Sequence, residues 1–427
     1  MITKRPRGTN DILPGEVEKW HFIEQTALKV CREYGYSEIR TPIFEHTELF
    51  HRGVGDTTDI VEKEMYDFED KGGRSLTLRP EGTAPVVRAY LENNLNTDAQ
   101  PVKLYYLGPM FRYGRPQAGR LRQFHQFGIE VFGSKDPAVD AEVIGLAMDF
   151  YQRLGLSGLQ LEINSVGCSQ CRTANREDLL EYLRPSVELL CSTCANRYER
   201  NPLRIFDCKN EGCREVIVSA PTPVDALCDE CRTHFDAVKG FLQAWGIPYT
   251  INKTLVRGLD YYTNTAFEIT VDNLGSQNSI GGGGRYDKLV EVCGGPDTPG
   301  IGFGLGLERT ILAMEAQGAA VPAAASRKVF VAAAGQGHVE QEEAFKVLGR
   351  LRQAGISADK DYMGRSLKAQ MKYAGKKGFA AAVIIGGAEL SRGIVTLRDM
   401  LTGTQSEVAE KDLIAALKSW QEGSGNE

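Results

Sequence analysis

No stretch of this 427-residue chain approaches the roughly 18 consecutive apolar residues of a membrane span. The opening segment, Met1 to Asn10, carries charges where a secretory signal has an apolar run. These two absences argue against a membrane protein and predict a cytoplasmic one. An excess of positive charge is missing too. The formal net charge is -6, so nucleic acid would have to be held by local basic patches. No Ser/His/Asp or Cys/His set is present, which leaves no side-chain nucleophile to argue for. Hydrophobic content of 42% and charged content of 25% are those of an ordinary globular protein. The length suggests two to four domains.

What the chain does have is glycine in an unusual place. Gly300 to Arg309 reads G-I-G-F-G-L-G-L-E-R. On the two-residue period of a strand, Ile301, Phe303, Leu305 and Leu307 share one face, and Gly302, Gly304 and Gly306 share the other. Interior glycines weaken a strand, so a bare face implies something lying directly on the backbone. An adenine ring over the glycines, with phosphates reaching Arg309 in the helix that follows, is one occupant. A tightly packed helix crossing the face is the other.

Earlier in the chain, Pro14 to Tyr34 spaces Trp20, Ile23, Ala27, Val30 and Tyr34 as an amphipathic helix stopped by Gly35, and a short strand, Ser37 to Arg40, follows. Thr77 to Thr83, T-L-R-P-E-G-T, is a polar turn combining Arg79, Glu81 and Thr83. Strands are predicted at Leu104–Arg112 and Arg122–Phe132, joined by a basic loop. In the second, Phe127, Ile129 and Val131 point one way, and Gln126, Gly128 and Glu130 point the other. An amide and a carboxylate on one face, either side of a glycine, make the floor of a small pocket. Arg112, Arg115, Arg120 and Arg122 suggest polyanion contact. Leu255 to Val271 crowds Arg257, Asp260, Tyr261 and Tyr262 into a turn before an alternating strand. Gly281 to Asp287, G-G-G-G-R-Y-D, reads as a glycine turn whose Arg285, Tyr286 and Asp287 shape the pocket wall.

Eight of the ten cysteines fall between Gly167 and Phe235: Cys168, Cys171, Cys191, Cys194, Cys208, Cys213, Cys228 and Cys231. Three C-x-x-C pairs and one C-x-x-x-x-C suffice for two four-thiolate zinc sites. The alternative is a set of buried reduced thiols on a small helical insertion. The pairing is not fixed by spacing. Beyond a low-complexity linker, Gly318 to Ser326, strands and helices alternate as in a separate α/β domain. Within it, Gly364 to Gly378 carries Arg365, Lys368, Lys372, Lys376 and Lys377 without an acidic residue. Its lysines recur every fourth position, a one-sign stripe suited to phosphates.

Assembled in this order, the segments resemble histidyl-tRNA synthetase, a class II aminoacyl-tRNA synthetase, of bacterial type. Pro14 to Pro42 corresponds to class motif 1, Leu104 to Phe132 to motif 2, and the glycine strand with Glu308 and Arg309 to motif 3. R-G-L-D-Y-Y (Arg257 to Tyr262) and G-G-G-R-Y-D (Gly282 to Asp287) are the two family-specific segments. The resemblance implies an α+β fold: a catalytic domain on an antiparallel sheet (residues 1–167 and 250–318) and a helical cysteine-rich insertion (168–249). A linker (319–326) and a C-terminal α/β anticodon-binding domain (327–427) complete it. The implied activity is ATP-dependent attachment of L-histidine to histidine tRNA through histidyl-adenylate. ATP with magnesium is the implied cofactor, and a homodimer paired through motif 1 is expected.

Carried over by position, Glu81, Thr83 and Gln126 hold the α-amino end of histidine, and Glu130 and Tyr262 bracket its imidazole. Gly82, Tyr261 and Tyr286 complete that site. Arg112 binds the α-phosphate, Arg309 the γ-phosphate, and Arg257 the charge developing during adenylate formation. Arg120 with Gly302, Gly304 and Gly306 completes the ATP site. Arg115, Gln117 and Arg120 approach the acceptor end of tRNA, while Arg365, Lys368 and Lys372 serve the anticodon side. Where motif 2 commonly has a glutamate, this chain has Gly114, so the polar contact made from that position is not expected. The cysteine-rich insertion is not general to the family, and zinc there rests on spacing. A synthetase-like regulatory subunit of histidine biosynthesis is the rival reading. Arg257, the motif 2 loop and a full C-terminal domain stand against it.

Overall fold

The computed structural model describes residues 3–55, 58–272, 274, 278–322, 328–335 and 337–423. They form two compact units, divided after Pro322.

The first unit is built on one sheet of eight strands. Their order is Ser37–Glu38, Val102–Phe111, Gln123–Phe132, Gly300–Gly306, Ser279–Arg285, Thr263–Val271, Leu159–Ser165, Thr250–Ile251. The two short edge strands run parallel to their neighbours; the inner pairings are antiparallel. Alternation decides the faces. Phe127, Ile129, Phe267, Ile269, Ile301, Phe303 and Leu305 bury on one side with Trp20, Ile23, Ala27 and Val30 of helix Val17–Glu33. Ile144, Ala147, Phe150 and Tyr151 of helix Pro137–Arg153 complete that core. At about 1.5–3 kcal/mol per fully buried large apolar side chain, this layer fixes the register of the sheet. The opposite face therefore receives the polar and glycine positions.

The helix predicted over Pro14–Tyr34 forms over Val17–Glu33, and Gly35, at φ +79°, takes the chain out of it. Strands Val102–Phe111 and Gln123–Phe132 stand where expected. One reading is corrected. Gly281 to Gly284 do not turn; they lie inside strand Ser279–Arg285, between two other strands. The glycines answer to crowding rather than flexibility: a Cβ on Gly283 would meet the Gly302 carbonyl oxygen at 2.0 Å, and one on Gly282 the Phe267 carbonyl oxygen at 2.5 Å.

The insertion is helical, with Ser169–Leu183, Ser192–Arg200, Glu211–Ile217 and Asp229–Ala244 as its α-helices. The last packs Phe235, Val238 and Leu242 into the main core. A three-stranded sheet, Phe44–His46, Ser75–Leu78 and Tyr66–Glu69, lies apart from the large one and leaves Phe44 49% and Phe68 44% exposed.

Part of the predicted linker, residues 323–326, lies outside the described residues. The second unit holds a five-stranded sheet in the order Ala358–Lys360, Val329–Ala333, Ala381–Ile385, Ile394–Asp399, Gln405–Ala409. Strands Ala358–Lys360 and Gln405–Ala409 had no counterpart in the sequence reading; both are short and polar. Lys368, Lys372 and Lys376 are exposed on helix Leu367–Lys376.

Candidate active site

Two cavities open on the polar face of the large sheet. The smaller, ≈170 Å³, is lined by Glu81, Gly82, Thr83, Gln126, Tyr261, Tyr262, Tyr286 and Gly302, among others. The larger, ≈340 Å³, is lined by Phe124, Gly306, Glu308, Arg309, Arg120 and Ser279, among others. Arg112, Gln126, Arg257 and Gly304 line both. Two guanidinium groups thus stand where the cavities meet.

The pairing register explains the bare floor. Gly302 pairs with Glu130, Gly304 with Gly128, and Gly306 with Gln126. A Cβ on Gly306 would meet nothing within 4 Å, whereas one on Gly302 would meet the Glu130 carboxylate at 2.0 Å. Among the described residues no helix crosses the glycines. Gly304 and Gly306 form the bed of the larger cavity, and Gly302 belongs to the smaller one.

Glu130 is 0% exposed and lies behind the lining of the smaller cavity. Its carboxylate accepts from Thr83 Oγ1 at 2.7 Å, from the Tyr106 phenol at 3.3 Å and from the Tyr286 phenol. Tyr262, expected opposite it, lines the cavity with no hydrogen bond to it among the described residues. Burial pushes the Glu130 carboxyl up to about 8, against the hydrogen bonds from Tyr286 and Thr83 that favour its charged form. Between the ordinary carboxylate value of 4.5 and about 8, the folded chain holds a proton that the unfolded chain has released. Stability of the ligand-free protein should therefore fall as pH rises through that window. Glu130→Gln should flatten the slope. Thermal melts across the window check this, and a slope unchanged by the substitution would refute it.

Glu81 is buried and accepts backbone N–H bonds from Thr83 at 2.8 Å and Ala84 at 2.9 Å, at the start of helix Thr83–Glu92. Arg112 donates Nε–H to the Pro80 carbonyl at 2.7 Å and lies over the Phe124 ring. Arg257 lies 3.3 Å from Glu268, and its Nε–H is buried with no hydrogen-bond partner among the described residues. A buried, unmatched cationic donor between two cavities suits an anion. Arg309 donates to the Ser279 carbonyl at 2.6 Å and lines the larger cavity.

Tyr106 is a site residue that sequence reasoning missed. Its ring lies over Gly82 and Gly128, where a Cβ would approach it to 2.2 Å. The space above Gly128 is thus occupied rather than open. Only the pairing of Tyr106 with Gly128 reveals this. Arg285, expected in the pocket wall, instead turns into the core. It is 1% exposed and bonds Asp140, which is 0% exposed. Its place is structural.

A family model described as "Histidyl-tRNA synthetase" matches residues 8–310, and one described as "Anticodon binding domain" matches residues 328–420. The chain belongs to the histidyl-tRNA synthetase family. Proteins named histidine–tRNA ligase from Pelotomaculum thermopropionicum and Desulforamulus reducens are 64% and 62% identical to it. The matches cover 96% and 98% of this chain and 96% and 100% of theirs. The crystal structure of apo Staphylococcus aureus histidyl-tRNA synthetase superposes with a TM-score of 0.84 at 42% identity, covering 98% of this chain and 100% of that one.

Against that family background, the motif 2 loop holds a finding of its own. Glu64, from a different segment, bonds Arg120, and a Cβ on Gly114 would lie 3.3 Å from its carboxylate. A carboxylate therefore reaches the neighbourhood of Gly114, where class II motif 2 commonly has a glutamate. Arg115 and Gln117 are exposed. Arg365 is engaged within its own unit, bonded to Asp361 and stacked 4.7 Å from the Tyr373 ring centre. The cysteines separate into Cys168, Cys171, Cys228 and Cys231, and Cys191, Cys194, Cys208 and Cys213.

Proposed function

We infer that this chain activates L-histidine with ATP and transfers the histidyl group to histidine tRNA. The observation that carries the reading is the pair of cavities joined at Arg112 and Arg257. In the first step an oxygen of the histidine carboxylate attacks the α-phosphorus of ATP, and pyrophosphate leaves. The residues need supply no nucleophile, only alignment and neutralisation of oxygens. Histidine is assigned to the smaller cavity, its α-amino group toward Glu81, Thr83 and Gln126. Its imidazole goes toward Tyr262 and the Tyr286–Glu130 pair, because an imidazole offers one donor and one acceptor nitrogen. An apolar isostere would offer no partner to the polar groups lining the pocket, the basis of strong discrimination.

ATP is assigned to the larger cavity, with adenine over Gly304 and Gly306, the α-phosphate at Arg112 and the γ-phosphate at Arg309. Glu308 lines that cavity and Glu268 pairs with Arg257, oxygen donors of the kind magnesium accepts alongside phosphates. When bound, magnesium supplies charge neutralisation on the phosphates. The same reading assigns a structural zinc ion to each cysteine cluster, the motif 2 loop to the tRNA acceptor end, and Lys368 and Lys372 to the anticodon side.

A regulatory subunit that bound histidine without aminoacylation would need neither the phosphate arginines nor an anticodon-binding unit. ATP–pyrophosphate exchange tested with each of the twenty amino acids should be stimulated by histidine alone. Exchange driven by another amino acid, or by none, would contradict the assignment. A homodimer belongs to the same reading, with exposed Phe44 and Phe68 as apolar surface available for burial. Light scattering should give twice the 47.0 kDa chain mass, and a monomer would sink it.

A further inference from the structure

The insertion takes no part in the chemistry described above, yet it grips the segment Arg257–Tyr262. That segment lies in no helix or strand, so its shape depends on what holds it. From the first cysteine cluster, Arg172 stands in the first turn of helix Ser169–Leu183, whose N-cap is Cys168. One of its Nη atoms donates to the carbonyls of Asp260 and Tyr262, at 3.1 Å each. From the second cluster, Arg204 donates to the carbonyl of Arg257 at 3.3 Å, and the Asn201 amide donates to Asp260 Oδ1 at 2.8 Å. Gly258 makes room for this: a Cβ there would sit 3.2 Å from Arg204.

The clusters themselves have the geometry of metal sites. In each, the four sulfurs lie within 4.8 Å of one another. Sγ–Sγ separations are 3.6 Å for Cys168–Cys171 and 3.8 Å for Cys191–Cys208. These exceed the disulfide length of about 2.05 Å. They fit the edge, about 3.8 Å, of a tetrahedron with Zn–S bonds of about 2.3 Å. Cys168, Cys191 and Cys228 each stand at a helix N-cap. The backbone N–H groups of Cys228 and Cys191 already donate to Cys171 Sγ at 3.1 Å and Cys213 Sγ at 3.2 Å.

We propose that the insertion is a two-zinc clasp: a zinc ion in each four-cysteine set fixes the base from which Arg172, and Arg204 with Asn201, hold segment Arg257–Tyr262 in its histidine-binding shape. The proposal rests on the histidine reading of that segment. It makes Arg172 and Arg204 positioning residues, and makes histidine affinity depend on metal held by the insertion.

The test uses the full chain. Elemental analysis should find about two zinc ions per chain, and one in Cys208→Ser. Arg172→Ala and Arg204→Ala, which leave every thiol in place, should keep both ions. Each should raise the KM for histidine about tenfold, the scale of one or two lost hydrogen bonds, with the KM for ATP unchanged. Calorimetric histidine binding should weaken in parallel, and amide exchange at Arg257–Tyr262 should accelerate. Stripping zinc with a thiol reagent and chelator should give the same selective loss, reversed by thiol reduction and added zinc. Histidine affinity unchanged in both arginine variants, or unchanged after zinc removal, would overturn the proposal. So would wild-type protein that lacks zinc yet binds histidine normally. No histidine-dependent exchange in zinc-loaded wild type would instead overturn the functional reading itself.

Discussion

Arg257→Ala should lower histidine-dependent ATP–pyrophosphate exchange by about a thousandfold, the upper range for removing one preorganised donor to developing charge, while histidine still binds. Arg257 lines both cavities, its Nε–H lacks a partner among the described residues, and Glu268 at 3.3 Å fixes its direction. Its task falls in the transition state, where negative charge builds on oxygens around the α-phosphorus. Groups that meet the substrate in the ground state, such as Gln126 and Tyr262, are left in place. The KM for histidine should therefore change little while kcat collapses. Arg257→Lys should not restore the rate, because a lysine lacks the planar fork of donors. Exchange kinetics combined with calorimetric histidine binding check both halves. Unchanged exchange would remove Arg257 from the chemistry.

Arg285→Met should destabilise the first unit by about 3–5 kcal/mol, the cost of leaving one partner of a buried ion pair alone. Arg285 and Asp140 are 1% and 0% exposed, and Arg285 also donates to the Ser134 carbonyl at 2.9 Å. His234 shares Asp140 at 2.9 Å. The pair ties strand Ser279–Arg285 to helix Pro137–Arg153, the layer that carries the bed of both cavities. Burial alone would raise the Asp140 carboxyl, but Arg285 and His234 outweigh it and hold it below its ordinary value. The stabilisation is thus present above the ordinary aspartate range and lost as pH falls below it. Denaturant unfolding measures the cost, and the effect should shrink in acid. A variant within about 1 kcal/mol of wild type would show that the pair is not structural in the sense described.

The elements legible in the sequence were those with a strong period. Helix Val17–Glu33 followed from Trp20, Ile23, Ala27 and Val30, and strand Gln123–Phe132 from its alternation, because both faces are settled by burial in one core. Gly281–Gly284 misled because a glycine run has no period. A turn and a crowded central strand ask for the same residue, and only neighbouring strands distinguish them. Residues lining the candidate site were legible where they lay within one segment, as with Glu81 and Thr83. Tyr106 over Gly128, Glu64 beside Gly114 and Arg172 on segment Arg257–Tyr262 all depend on long-range register, which spacing does not carry. Arg285 was placed by its neighbours in sequence on the wrong side of the strand. A strand turns successive side chains to opposite faces, so Tyr286 reaches the cavity and Arg285 the core.

A crystal structure with a non-hydrolysable histidyl-adenylate analogue tests the paired-cavity account most directly. The imidazole should occupy the smaller cavity beside Tyr262 and Tyr286, the adenine should lie on Gly304 and Gly306, and the linking phosphate mimic should stand between Arg112 and Arg257. An analogue bound with its adenine away from the glycine strand, or its phosphate mimic out of reach of both arginines, would contradict it.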